Sequence, residues 1–158
     1  MESVQFKATQ GKATFVAPHG NKTVSVFGIP VEILLTAEET NGACSAYRIA
    51  TQPGDGPPPH IHHLEDEAFY VLEGEFEILC GEMVSTVGAG SFVFLPRKVL
   101  HTFRNVGTGA GHLLGIGTPP GHEKFFEDAA LLTWPPDPQE AMAVCLKHGI
   151  ELMPATSP

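Results

Sequence analysis

The sequence has 158 residues, and its 17 glycines and 14 prolines make up about a fifth of the chain. So many helix breakers exclude a helical bundle or a coiled coil, while 42% hydrophobic residues suffice for the core of one domain. The formal net charge of −9 argues against nucleic acid as a partner, because phosphates attract clustered Lys and Arg side chains.

Neither a membrane span nor a secretory leader is expected. No apolar run approaches the length of a membrane helix, and the N-terminal residues MESVQFKATQGK lack the apolar core of a signal peptide. The three cysteines are odd in number and have no CxxC spacing, so they are typical of buried thiols in a reducing compartment. The sequence therefore predicts a cytoplasmic protein.

Short apolar runs separated by turn residues dominate the chain from residue 12 to about 117. Many short strands at such regular spacing are typical of a β-sandwich or a β-barrel. The predicted strands are 12–17, 23–27, 29–36, 43–51, 67–73, 75–80, 83–87, 91–95, 101–106 and 112–117.

Two helices are predicted after residue 118, the first over 122–132 and the second over 138–148. The second has Asp137 as its N-cap, Pro138 at its first position and Gly149 just beyond its end. We expect both helices to pack against a sheet or a partner subunit, with no part in catalysis.

The stretch PPPHIHHLEDE carries the residues best suited to chemistry. His60 and His62 are two residues apart, so on a strand they face the same side, and paired imidazoles are natural ligands of transition metals. A bulge or turn within 63–66 would bring Glu67 to that side as well. His101, in a later predicted strand, could complete the set. A lone histidine here would indicate only a polar surface loop, but this group indicates a metal site.

Two motifs in this region resemble those of the cupins. The first reads G(X)5HXH(X)3–4E(X)6G in that family, and its fixed positions are matched here by Gly54, His60, His62, Glu67 and Gly74. The second reads G(X)5PXG(X)2H(X)3N, and it is matched by Gly90, Pro96, His101 and Asn105, with Lys98 in place of the family's glycine. The wider sequence is similar to single-domain cupins related to quercetin dioxygenases.

The resemblance implies an all-β fold, the double-stranded β-helix or cupin jelly-roll barrel, with two short C-terminal helices. The single domain would comprise a barrel at 1–118, which includes the N-terminal strands and the motifs at 54–74 and 90–105, and a helical extension at 119–158 packed on it. One divalent transition metal ion would be held by His60, His62, Glu67 and His101. Fe, Mn, Ni, Co, Cu and Zn all fit such a nitrogen and oxygen donor set.

Strand alternation predicts which side chains line the interior, because alternate residues share a face. An apolar interior suited to an aromatic or hydrophobic ligand follows. The expected pocket residues are Tyr47, Ile49, Phe69, Val71, Phe92, Phe94 and Phe103. The remaining histidines, His19, His63, His112, His122 and His148, are not expected to be ligands.

Lys98 occupies a turn position where the family has glycine. Glycine at a turn often has a positive φ, which strains other residues, so either this turn has another geometry or Lys98 accepts the strain. In a functional alternative, Lys98 and its neighbour Arg97 would attract an anionic substrate. A solvated turn lysine is the simpler interpretation.

Three functions fit these features. The first is a metal-dependent dioxygenase resembling quercetinases, which would act on a small aromatic or enolic substrate with O₂ and use Glu67 as a metal ligand and general base. The second is a metal-assisted isomerase, decarboxylase or lyase acting on a small acid, and the third is a non-catalytic small-molecule-binding barrel. The expected partners are a small-molecule substrate and, in the first case, O₂, with neither nucleic acid nor membrane. The resemblance to the cupins also implies a homodimer.

Overall fold

Eleven strands and two helices account for the regular structure in the computed structural model, which describes residues 11–153. The elements in chain order are β1 (Thr23–Val26), β2 (Ile29–Leu35), β3 (Ser45–Thr51), β4 (His60–His62), β5 (Asp66–Glu73), β6 (Glu75–Cys80), β7 (Met83–Gly88), β8 (Phe92–Leu95), β9 (His101–Asn105), β10 (Gly111–Thr118), α1 (His122–Ala129), α2 (Pro138–Lys147) and β11 (Ile150–Leu152). In this range no helix is long and apolar enough to cross a membrane.

The strands form two antiparallel sheets that enclose the core. One sheet has the order β1-β2-β3-β10-β5-β8, and the other has the order β11-β4-β9-β6-β7. Several strand pairs join segments that are far apart in the sequence, such as β3 with β10 and β4 with β9. This is the predicted all-β cupin jelly roll, with its core on the inner faces of both sheets.

Strand β10 shows how the interior makes room for its aromatic rings. Its inward positions include Gly111, Gly115 and Gly117, which are all buried. A β-carbon at Gly115 would overlap the ring of Tyr47, and one at Gly117 would overlap the ring of His122. Glycine is therefore required here for close approach, so part of the glycine excess serves the interior of the barrel as well as its turns.

Lys98 has a φ of +65°, so it accepts the strain of a left-handed backbone conformation. Its backbone N–H donates to the carbonyl of His62 over 2.7 Å. The turn that lacks the family's glycine thus keeps a left-handed residue and ties it to the strand that carries the first two histidines.

The C-terminal segment differs from the prediction in two ways. Helix α1 ends at Ala129, earlier than expected, and the chain after α2 adds strand β11, which pairs with β4 so that Ile150 lies opposite His62. Helix α2 begins as predicted, because the Asp137 side chain accepts from the backbone N–H groups of Gln139 and Glu140. The unpredicted strand shields the edge of β4.

The strand predicted at 12–17 is wrong. These residues are exposed and pair with no strand in the described part of the chain. Without a partner strand within residues 11–153, this segment has no ladder of backbone hydrogen bonds, which a strand needs. The three cysteines are unpaired, and Cys145 is fully buried while Cys44 and Cys80 are half-buried.

Candidate metal centre

The four predicted ligands meet inside the barrel. His60 and His62 lie on β4, Glu67 on β5 and His101 on β9, and one ligand atom from each lies within 4.8 Å of all the others. All four residues are buried. The chain turns at 63–65 between β4 and β5, as the parity argument required, and His60 pairs directly with His101 across the sheet.

Two of the histidines have a defined orientation. Nδ1 of His60 donates to the carbonyl of Pro58 over 2.8 Å, and Nδ1 of His101 donates to the carbonyl of Val99 over 2.9 Å. Because a carbonyl only accepts, Nδ1 carries the proton in each neutral ring and Nε2 is left with its lone pair. The backbone thus presents two imidazole nitrogens in the form that binds metals.

The donor atoms fit a metal ion. Nε2 of His60 lies 3.0 Å from Nε2 of His62, and Nε2 of His101 is buried with no hydrogen-bond partner. With metal–nitrogen bonds of about 2.1 Å, adjacent ligands in an octahedral site are about 3 Å apart. A cation among these nitrogens would satisfy the buried lone pair of His101, which has no partner among the described residues.

Charge in the cluster also suits a metal. Burial, followed by the neighbouring His62 and His101, lowers the pKa of His60 to about 3, so its ring is neutral near pH 7. Burial alone would raise the pKa of Glu67, but His101, His122 and His62 outweigh burial and lower this pKa well below its usual range. A neutral imidazole at His60 and an ionised carboxylate at Glu67 are protonation states that metal binding needs.

Tyr47 lies behind the cluster. It is 1% exposed, and its hydroxyl donates a hydrogen bond to Oε1 of Glu67. Burial and then the negative charge of Glu67 raise the pKa of Tyr47 well above its usual value, so the phenol keeps its proton. Strand alternation placed Tyr47 correctly on the inner face, but the contact with Glu67 was not predicted.

His122 is the residue that sequence reasoning missed. The first residue of α1 is 2% exposed, its ring stacks on that of His62 with centroids 4.7 Å apart, and its Nε2 lies 3.7 Å from Oε1 of Glu67. Neither ring nitrogen has a hydrogen-bond partner within residues 11–153. His122 was grouped with the histidines outside the ligand set, and α1 was expected to serve packing. The structure places the His122 ring beside the cluster, so this helix also contributes a side chain to the site.

A signal for His122 was present in the sequence. His122, Phe125 and Phe126 are spaced i, i+3 and i+4, so on a helix they share one face, and the two phenylalanines mark that face as the buried one. All three are buried in the structure. Helix α1 follows strand β10, so its apolar face packs against the barrel. A histidine on that face is therefore expected to lie close to the barrel interior.

A cavity of about 240 Å³ opens beside the cluster. His60, His62, Glu67 and His122 supply its polar wall. The rest of the wall is largely apolar and is formed by Val26, Phe27, Ile29, Val31, Ile49, Gly56, Pro57, Pro58, Phe103, Phe125, Phe126, Trp134, Cys145, Ile150 and Leu152. The cavity therefore joins the candidate metal ligands to an apolar chamber.

The predicted pocket residues outside β8 fall into three groups. Ile49 and Phe103 line the cavity, whereas Phe69 and Val71 are fully buried in the core and do not border it. Tyr47 contacts Glu67 from behind.

Phe92 and Phe94 were assigned to the wrong face of β8. They are 64% and 58% exposed, because Val93 and Leu95 face inward and pair with Phe69 and Glu67 of β5. The larger aromatic residues were expected inside, but strand parity gives the inner positions to the aliphatic ones.

Arg97 is not available to a ligand. Its side chain holds the Asp66 carboxylate through two hydrogen bonds of 3.0 and 2.8 Å, and its backbone N–H donates to the same group. These hydrogen bonds lower the pKa of Asp66 to about 2. Neither Arg97 nor Lys98 lines the cavity, so the structure gives no support to a substrate-attracting role for this pair.

The fold and the cluster define a double-stranded β-helix of the cupin type whose inward residues could hold a metal ion. The family model of the cupin domain matches residues 47–117, the segment that carries all four ligands. Protein SchB of Streptomyces halstedii is 33% identical over 82 residues, which are 51% of this chain and 59% of that protein. The chain thus spans less than two thirds of that relative.

Three solved structures have a similar fold. KdgF from Halomonas sp. superposes with a TM-score of 0.64 at 18% identity, covering 72% of this chain and 99% of that one. An RmlC-like cupin from Shewanella frigidimarina gives 0.61 at 21% identity, covering 73% and 99%. A predicted oxalate decarboxylase from Thermotoga maritima gives 0.59 at 23% identity, covering 66% and 97%. At these identities, the three structures show that this chain shares their fold.

Proposed function

We propose that this protein is a metal-dependent dioxygenase for small aromatic or enolic compounds, similar in chemistry to quercetinases. The observation that carries the proposal is the shared wall: His60, His62 and Glu67 border the same cavity as Phe27, Phe103 and Phe125. A ligand in that cavity would bury an apolar body and present a polar atom to the cluster.

The chain's own residues suit this reaction. When bound, a metal ion would supply Lewis acidity and a site for O₂ activation. Glu67 is ionised and borders the cavity, so it can act as a general base toward a substrate hydroxyl whose acidity the bound metal ion would raise. His122 borders the same space with unpartnered ring nitrogens, which suits it to hydrogen-bond a second substrate oxygen.

The wall beyond the cluster is largely apolar, so it would bury the apolar part of a substrate. It contains no Lys or Arg among the described residues that line it, which favours a neutral substrate over a small acid. In a dioxygenase both atoms of O₂ enter the organic product and the substrate supplies all four electrons, so no separate reductant is needed.

The test is oxygen uptake by protein loaded anaerobically with Fe, Mn, Co, Ni or Cu and given a panel of flavonols and other enolic phenols. We expect uptake in a 1:1 ratio to substrate, with both atoms of ¹⁸O₂ in the product. Substituting His101→Ala should abolish uptake. Fully loaded protein that consumes no O₂ with any member of the panel would contradict the proposal.

A non-oxidative reaction is the second candidate, and the two side chains that face the Glu67 carboxylate favour it. Tyr47 and His122 both face Oε1 of Glu67, and such a group could shuttle protons in a metal-assisted isomerisation, decarboxylation or elimination. Equal turnover with and without O₂ would select this candidate. Recovery of an unchanged, tightly bound ligand would instead indicate a binding protein.

A further inference from the structure

We propose that Tyr47 is a positioning residue for the metal-binding carboxylate: it holds Oε1 of Glu67 and leaves Oε2 as the oxygen that binds the metal. The inference rests on the metal centre of the proposed function, but it does not depend on which reaction follows. It predicts that Glu67 binds through one oxygen and that this mode is set by a residue outside the ligand set.

The two oxygens of Glu67 have different surroundings. Oε1 accepts the hydrogen bond from the Tyr47 hydroxyl and is the oxygen nearest to His122. Oε2 lies 3.5 Å from Nε2 of His101, a ligand nitrogen with no hydrogen-bond partner. One oxygen is therefore occupied by a donor, and the other faces the candidate ligand nitrogen of His101.

The barrel fixes Tyr47 in this place. Tyr47 on β3 is paired with Gly115 on β10, and Gly115 is paired in turn with Phe69, two residues from Glu67 on β5. Gly115 has no side chain, and the ring of Tyr47 fills the space where a β-carbon would lie. Three adjacent strands thus determine the distance between the hydroxyl and the carboxylate.

Helix α1 closes the other side of the ring. Phe126 meets Tyr47 edge-on with centroids 4.8 Å apart, and His122 lies against it at 5.4 Å. The ring cannot turn its hydroxyl to solvent, because the residue is 1% exposed. A buried phenol without a partner would be destabilising, so Glu67 and Tyr47 hold each other in a single arrangement.

Hydrogen-bond partners of ligating groups tune metal binding. Such a partner orients the ligand and withdraws one of its lone pairs from the metal, and its loss typically costs 10–100-fold in metal affinity. Without the Tyr47 hydroxyl, both oxygens of Glu67 would be free to approach the ion. The variant centre should then bind more weakly and with a different coordination.

The chain supplies its own control, because Tyr47 and Tyr70 are its two tyrosines. Tyr70 lies on β5, three residues from Glu67, but it is 40% exposed on the outer face. The substitutions Tyr47→Phe and Tyr70→Phe remove the same atom, one beside the cluster and one outside the barrel. Each keeps the aromatic ring and its packing.

The experiment measures Co²⁺ binding to the wild-type protein and to both variants, by competition with a chelator and by the visible spectrum of the bound ion. We expect Tyr47→Phe to weaken binding about 10–100-fold and to change the spectrum. Tyr70→Phe should stay within about twofold with an unchanged spectrum. A role for Tyr47 in packing alone would leave both readouts unmoved, so a folded Tyr47→Phe protein with wild-type affinity and spectrum overturns the proposal.

A second measurement needs no substitution. Wild-type protein labelled with 3-fluorotyrosine should give a distinct ¹⁹F signal from each of its two tyrosines. Adding Zn²⁺ should shift the signal of Tyr47 and leave that of Tyr70 in place, and a stationary Tyr47 signal would contradict the proposal even if Tyr47→Phe fails to fold. Failure of the dioxygenase assay leaves both results intact, whereas a wild-type protein that binds no divalent ion overturns the metal centre and this inference together.

Discussion

The barrel strands and helix α1 both reach the candidate metal cluster, but they hold their residues there by different means. His60 and His101 lie opposite each other in a strand ladder, and each has its Nδ1 fixed by a backbone carbonyl. His122 has no hydrogen bond at either ring nitrogen and is held by stacking on His62 and by the fit against Gly117. The sheet therefore orients the ligands, whereas the helix closes the site through packing.

This difference separates two tasks. Ligands must keep a fixed orientation for tight metal binding, and a hydrogen-bonded ladder provides it. A wall residue that meets a substrate gains from having unpartnered donor and acceptor atoms, which a ligand can then satisfy. Substitutions on the two sides should accordingly change different quantities.

The largest effect is expected on the barrel side, at His62. Substituting His62→Ala removes a donor atom from the cluster, so metal affinity should fall by more than the roughly 100-fold that loss of an outer hydrogen-bond partner can cost. The control is His63→Ala at the next position, where the ring is exposed and pairs with Glu151 over 2.8 Å. Metal content after dialysis should collapse in the first variant and match wild type in the second. Equal retention of metal in both would show that the cluster is not the metal site.

A smaller effect is expected where the two regions touch, at Gly117. An alanine there would place its β-carbon against the ring of His122, and overpacking of this kind destabilises by about 1–3 kcal/mol. Chemical denaturation should show that loss in Gly117→Ala. Gly109→Ala is the matched control, since its β-carbon would meet nothing within 4 Å. A Gly117→Ala protein as stable as this control would mean that the helix yields freely and does not pack tightly on the strand.

The same contrast explains what the sequence could predict. Each ligand was readable because its evidence is local: the spacing of His60 and His62 on one strand, and motifs that fix Glu67 and His101. Tyr47 was assigned to the inner face by alternation alone. Its partner could not be read, because contact with Glu67 depends on the order β3-β10-β5, which brings three distant segments together.

The wrong predictions have physical causes as well. For β8, alternation gives two faces but not which one is inside, and Phe92 and Phe94 were placed inward on hydrophobicity, whereas pairing with β5 puts Val93 and Leu95 there. Strand β11 is three residues long and exists through its pairing with β4. The position of His122 depends on how α1 packs against the barrel. A periodic pattern shows which face of a helix is buried, but not what that face contacts.

Lys98 provides a sharper test of the barrel side, because its backbone and not its side chain meets the site. A non-glycine residue in the left-handed region destabilises the folded protein by about 1–2 kcal/mol, and glycine would remove this strain. Glycine also makes the unfolded chain more flexible, which offsets about 0.5–1 kcal/mol of the gain. Lys98→Gly should therefore raise the free energy of unfolding by about 0.5–1 kcal/mol, with metal content unchanged. Lys98→Ala should bring no such gain, since it keeps the β-carbon at φ +65°. If the alanine variant is stabilised as much as the glycine variant, the lysine side chain and not the backbone is the source of strain.

The smallest effect is expected on the helix side, where charge joins α1 to α2. Asp128 accepts hydrogen bonds of 2.7 Å from both Lys147 and His148, and these bonds lower the pKa of its carboxyl. A carboxyl whose pKa is lower in the folded than in the unfolded protein stabilises the fold above its unfolded pKa of about 3.9, and this stabilisation is lost as the pH falls further. Wild type should thus be more stable than Asp128→Asn at pH 6, and the difference should shrink below about pH 4.

The exposed Glu38 provides the control, because Glu38→Gln should show no comparable pH-dependent difference. A gap between wild type and Asp128→Asn that stays constant from pH 6 to pH 3 would mean that the ion pairs do not hold the helices together, and that α1 is kept over the cluster by its apolar face alone.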